Sequence, residues 1–232
     1  MSRGRETPET LPSEPSGPVG ARRPVWIEAL AALSRPPRRG IRALRNRVDA
    51  LLHPWRRRRA ARALQGRLPV RKILILCYGN ICRSPYAEFR LREGLQGRVV
   101  DRATMQLPEV TSAGFFGPDR PSPEVAVEAA LGRGIDLGPH RSRIVTAPFV
   151  AEHDVVLVMT RVQVRATKKV LPEAFVLHLG DFDPITPAQR DIPDPYAHSL
   201  QVFSDVYARI DGALETLVTL LHPGNRKEEG RP

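Results

Sequence analysis

The sequence predicts an α/β fold: a parallel β-sheet with helices on both faces, preceded by a basic segment that lies outside it. Three observations carry this. From Pro69 onward, short apolar runs alternate with stretches of helical periodicity, the pattern of a sheet covered on both sides. The runs are continuously apolar, as strands buried on both faces are. The charge is also divided: residues 1–68 carry 16 arginines and five acidic residues, whereas residues 69–232 carry 20 basic and 20 acidic ones. The pI near 10.7 therefore describes the extension, and the whole chain is not a basic nucleic-acid binder.

Residues 1–24 are rich in Pro, Ser, Glu and Gly and are expected to be disordered. "VWIEALAAL" at 25–33 is short and is broken by "RPPRRG" at 35–40. Ile41, Leu44, Val48, Leu51, Leu52 and Trp55 fall on one helical face, with Arg42, Arg45 and Arg47 on others and "RRRR" at 56–59 beyond Pro54. A basic amphipathic helix at 41–55 suits an anionic membrane surface or a partner protein. An arginine-rich leader without a selected role is the competing reading. Aromatic residues are too sparse for specific nucleic-acid binding.

The domain is expected to span 69–222. "KILILC" at 72–77 is a strand, and Ser84 with Pro85 starts a helix to about 96. "EVTSAG" at 109–114 is a strand, and "PSPEVAVEAALGRG" at 121–134 a helix closed by Gly134. "DVVLVM" at 154–159 is a strand, "RVQVRATKKV" at 161–170 a helix and "AFVLHLG" at 174–180 a strand. The last helix, 199–221, carries the stripe Phe203, Val206, Tyr207, Ile210, Leu214, Leu217, Val218 and Leu221. Residues 223–232 form a disordered tail. No apolar run approaches the roughly 20 residues of a membrane helix. The first residues lack the form of a signal peptide. Two cysteines make no disulfide framework. Together these predict a cytoplasmic protein.

Both cysteines lie in one loop, "CYGNICRSP", between the first strand and the first domain helix. Ligands of such sheets bind beyond the carboxyl ends of the strands. A loop there can turn backbone N–H groups inward beside a helix N-terminus, which favours a dianion such as phosphate. Gly79 lets the backbone bend, and the planar fork of Arg83 can grip two phosphoryl oxygens. The same field favours the thiolate of Cys77, a competent nucleophile, which the Ser84 hydroxyl can also stabilise. Two cysteines without a nearby histidine give too few ligands for zinc, and no lysine follows the glycine as a Walker A loop requires. Attack by Cys77 on phosphorus needs an acid for the leaving oxygen. Asp194, between two prolines in "RDIPDPYAHS", is one candidate, with Asp181, Asp183 and Asp191 as rivals on spacing alone.

These residues resemble the low-molecular-weight protein tyrosine phosphatases. The resemblance covers about 70–221 and rests on "LCYGNICRSP", "TSAG" at 111–114, "GIDLGPHRSR" at 134–143, "DVVLVM" and "IPDPY" at 192–196, in the family's order. It implies a four-stranded parallel sheet of flavodoxin-like type, no metal or other cofactor, and a phosphocysteine intermediate. Cys77 becomes the nucleophile, Arg83 the phosphate-binding arginine and Asp194 the acid. The phosphate loop is Cys77, Tyr78, Gly79, Asn80, Ile81, Cys82, Arg83 and Ser84, supported by Asn80, Ser84, Ser112 and His140. Cys82 resembles a second loop cysteine that shelters the nucleophile from irreversible oxidation. Tyr78, Phe115, Phe116 and Tyr196 are the candidate aromatic walls of the cleft. The implied partners are phosphotyrosine proteins, including an autophosphorylating tyrosine kinase. The alternatives are an arsenate reductase using an external small thiol and a phosphate-binding module without turnover. Ile81 stands where phosphoarginine-hydrolysing relatives carry Thr.

Overall fold

In a computed structural model, residues 39–97, 107–185 and 189–221 are described. The expectations for 1–38 and for the tail at 223–232 lie outside them. The elements are α1 (Arg39–Gln65), β1 (Lys72–Cys77), α2 (Arg83–Gln96), β2 (Glu109–Gly114), α3 (Glu124–Leu131), α4 (Ala147–Ala151), β3 (Val155–Val158), α5 (Arg161–Val170), β4 (Val176–His178), a 3-10 turn (Leu179–Phe182) and α6 (Leu200–Leu221).

The sheet has four parallel strands in the order β2-β1-β3-β4. From β1 the chain crosses to β2 on one side, then returns past β1 to β3 on the other. This reversal opens a crevice at the carboxyl end of β1, and Cys77 is the last residue there. Strand alternation splits the core. Ile73, Ile75 and Cys77 face one layer with Tyr86, Leu91, Phe203 and Tyr207. Leu74 and Leu76 face the other with Ala113, Phe115, Val156 and Val158.

Several elements differ from expectation. β4 ends at His178, whose side chain accepts the Gly180 N–H and turns the chain into the 3-10 turn. α4 was not expected; Thr146 caps it by accepting the Phe149 N–H. The helix expected at 41–55 is longer, Arg39–Gln65, with Pro54 inside it. The apolar stripe Ile41, Leu44, Val48, Leu51, Leu52 and Trp55 is exposed. The opposite face is buried through Asp49, His53, Ala60 and Leu64, against the 3-10 turn and α6. Ala60 and Leu64 belong to the core, so the packed unit includes α1 although the domain was expected to begin at 69.

Candidate active site

The loop after β1 wraps around the Cys77 sulfur. Cys77 Sγ accepts the Asn80 N–H at 3.2 Å and the Ser84 hydroxyl at 3.0 Å. Asn80 adopts a left-handed φ of 51°, a conformation Asn tolerates better than most residues. Its side chain fixes that bend: Nδ2 donates to Ser84 Oγ at 2.9 Å and Ser112 Oγ at 2.8 Å, and Oδ1 accepts the Arg143 N–H at 2.9 Å. His140 Nε2 donates to the Asn80 carbonyl at 2.6 Å. Burial, against the pull of this hydrogen bond, holds the His140 pKa below its ordinary value. The four residues expected to support the loop thus meet in one buried network behind it. Ser84 serves this network rather than a helix cap: α2 begins at Arg83 and has no side-chain cap at Cys82.

Two further supports were not expected. Ser112 donates its hydroxyl to Glu88, which is paired with Arg92 at 2.6 Å. Arg120 reaches back from the loop after β2, giving Nη2 to the carbonyls of Gly79 and Phe116 at 2.9 Å each. Its guanidinium also lies over the Phe116 ring, 5.1 Å from the centroid. Glycine at 114 lets the loop sit this close. A Cβ there would lie 2.7 Å from Asn80 N, 2.8 Å from Gly79 C and 2.9 Å from Tyr78 O.

A cleft of about 180 Å³ opens over the loop, lined by residues 77–79 and 81–83 with Phe116, Arg120, Asp194 and Tyr196. Arg83 is almost wholly buried. It donates Nη1 to the Ile192 carbonyl at 3.0 Å and Nη2 to the Asp194 carboxylate, while its buried Nε has no hydrogen-bond partner among the described residues. An unpartnered N–H on a loop-buried guanidinium fits an oxyanion ligand. Burial, with the neighbouring Cys77 and Asp194 charges, pushes the Cys82 thiol pKa far up, so Cys82 stays protonated; both cysteines are free.

Tyr78 and Phe116 stand stacked at the rim, with centroids 6.1 Å apart, and Tyr196 is 58 % exposed. Phe115 is not a wall. It is 1 % exposed and packs in the core beneath the sheet, because alternation carried past Gly114 puts it on the Ala113 side. The rival acids are engaged away from the cleft: Asp181 with Arg190, Asp183 with Arg209, and Asp191 with Arg161 and His178.

Comparison with known proteins agrees with this geometry. The family model for low molecular weight phosphotyrosine protein phosphatases matches residues 72–227. A probable low molecular weight protein-tyrosine-phosphatase, EpsP of Ralstonia solanacearum, is 34 % identical over 152 residues, covering 64 % of this chain and 94 % of that one. The solved tyrosine phosphatase Wzb from Escherichia coli K30, in complex with sulphate, superposes with a TM-score of 0.57 at 29 % identity, over 66 % of this chain and 99 % of that one. The YwlE arginine phosphatase from Geobacillus stearothermophilus gives 0.55 at 26 %, over 65 % and 92 %. With its parallel sheet, its thiol-centred loop and a family match over two thirds of its length, the chain belongs to the low molecular weight phosphotyrosine protein phosphatase family.

Proposed function

We propose that this chain hydrolyses phosphotyrosine in proteins through a phosphocysteine on Cys77. One observation carries the reading: the Cys77 sulfur accepts two hydrogen bonds at the floor of a cleft that also holds Arg83 and Asp194. In the first step the Cys77 thiolate attacks phosphorus and the bond to the phenolic oxygen breaks. The dianion takes over the Arg83 fork, so Asp194 leaves it, takes a proton from solvent and passes that proton to the departing oxygen. In the second step Asp194 takes a proton from water. The resulting oxygen nucleophile attacks phosphorus, the S–P bond breaks, and phosphate leaves with the thiolate restored.

Tyr78, Phe116 and Tyr196 give the cleft an aryl-sized rim, which suits tyrosine better than the extended chain of phosphoarginine. The substrates are phosphotyrosine proteins, an autophosphorylating kinase among them. A thiolate nucleophile works in a reducing compartment, which supports a cytoplasmic location. No helix among the described residues is long and apolar enough to cross a membrane.

The test uses the full chain on p-nitrophenyl phosphate, a phosphotyrosine peptide and phosphoarginine, beside Cys77→Ser. Turnover of both aryl substrates that vanishes in the variant is expected. A folded chain active on phosphoarginine alone, or on arsenate with a small thiol alone, would replace this reading.

We assign the outer face of α1 to an anionic membrane surface. Six exposed apolar residues run along it, and Arg47, Arg58, Arg59 and Arg62 are exposed at its edges and end. Such a helix lies in the headgroup plane. Co-sedimentation with phosphatidylserine vesicles that salt weakens and Leu51→Asp abolishes is expected. Equal recovery with neutral vesicles, or none with either, would remove the assignment.

A further inference from the structure

The family match begins at residue 72, yet α1 reaches the segment that carries Asp194. Asp49 is the point of contact, with its side chain 1 % exposed. Its carboxylate accepts Arg161 Nη1 at 3.0 Å and Nη2 at 2.7 Å, Arg56 Nη1 at 2.8 Å and the Arg190 backbone N–H at 3.4 Å. Burial opposes ionisation, but the hydrogen bonds from Arg161 and Arg56 outweigh it and hold the pKa below the ordinary value. The Arg161 guanidinium is shared. Its Nε faces Asp191 at 3.3 Å, and its backbone N–H donates to Asp191 Oδ1 at 3.0 Å. Asp191 also takes a hydrogen bond from His178 Nε2 at 3.0 Å. The His178 Nδ1 accepts the Gly180 N–H, so the ring proton is on Nε2.

From Arg190 to Asp194 the path is short and stiff. Arg209 holds the carbonyls of Gln189, Arg190 and Asp191. Ile192 is fully buried, donates its N–H to Met159 and gives its carbonyl to Arg83. Pro193 fixes φ between Ile192 and the acid. A shift at 190–191 is therefore passed to Asp194 rather than absorbed.

We infer that Asp49, a residue of the extension, is a positioning residue for the catalytic acid: through Arg161, Asp191 and the Arg190 backbone it sets where Asp194 meets the leaving oxygen. The inference rests on the phosphatase reading above. Loss of Asp49 leaves Arg161 without one of its two carboxylates, and the acid segment relaxes. Displacement of a catalytic group by about 1 Å costs on the order of 10²-fold in rate. A partial shift then removes about 10-fold from the acid-dependent step.

The experiment compares kcat/KM of the full chain on phenyl phosphate, whose leaving group needs a proton, and p-nitrophenyl phosphate, whose leaving group needs one far less. Asp49→Asn is expected to lower the first by about 10-fold and the second by about 2-fold or less. In an Asp194→Asn background the same substitution is expected to leave the ratio unchanged, since the acid is already gone. Arg57→Ala loosens α1 elsewhere, at the Pro184 carbonyl, and is expected to leave the ratio alone. If Asp49→Asn does not fold, Arg161→Lys breaks the same fork and carries the same expectation. Parallel losses on both substrates, or a ratio change that persists without Asp194, would overturn the inference alone. A folded wild type inactive on both aryl phosphates would overturn the phosphatase reading, and this inference with it.

Discussion

Replacing Gly114 by Ala tests whether the loop around Cys77 is held by close backbone contact. Gly114 ends β2, in register with Cys77. Its own N–H and carbonyl are bonded to Arg143 and Val145 at 2.9 and 2.8 Å, so β2 cannot easily retreat. The added Cβ would stand 2.7 Å from Asn80 N, whereas ordinary contact begins at 3.4 Å. The loop must therefore move by about 0.7 Å. At about 10²-fold per ångström of misplacement, kcat/KM on p-nitrophenyl phosphate should fall by roughly 10- to 30-fold. The overpacking should cost about 1–3 kcal/mol, read from urea unfolding. Gly132→Ala is the control: its Cβ would meet nothing closer than 3.7 Å, and its φ is −60°. It should leave activity unchanged and stability equal or slightly higher. A Gly114→Ala protein with wild-type kcat/KM and unchanged unfolding midpoint would refute the account of how the loop is held.

Arg120→Ala should raise KM for a phosphotyrosine peptide by about 5-fold with a smaller change in kcat, because it frees Phe116 from a cation–π contact and a carbonyl anchor and Gly79 from another, together worth about 1–2 kcal/mol; a larger fall in kcat than rise in KM would contradict this. Cys82→Ser should lose activity irreversibly after peroxide where wild type recovers with dithiothreitol; equal recovery in the two proteins would remove the protective role. Below about pH 6.5, His140 is held more neutral in the folded chain than in the unfolded one. The unfolded state then binds more protons, so stability falls on acidification through that range, by at most about 1.4 kcal/mol per pH unit. His140→Gln, which can still donate to Asn80, should flatten that slope between pH 6.5 and 5; an unchanged slope would show that the group does not titrate on unfolding.

The loop that wraps the Cys77 sulfur was legible because its parts are contiguous: strand, Cys77, Gly79, Arg83 and helix follow one another within a dozen residues. Glu88 was missed, although it interrupts the buried face formed by Ala87, Leu91 and Leu95, and a charge in such a stripe is a readable signal. Arg120 gave no such signal, since its contacts depend on how the loop after Gly114 folds back. The packing of α1 on the domain was missed for a physical reason. Apolar periodicity points a helix inward only when the domain offers an apolar surface. Here it offers Arg161, Arg190 N–H and the Asp183 carbonyl, which are met by Asp49 and His53. α4 could have been found from Thr146 and Pro148, which mark a helix start even in a five-residue stretch.

The burial of Phe115 beneath the sheet, with Phe116 at the rim, makes the shape of the cleft a matter of counting. Two identical side chains lie next to each other, and the pleat decides which one a substrate meets. Inserting one residue directly after Gly114 would exchange inside for outside, whereas inserting two would restore the original phase. Insertions at this point should therefore change substrate preference in odd steps and spare it in even ones. Such a change needs no alteration of Cys77, Arg83 or Asp194, which leaves divergence in specificity open to simple insertions.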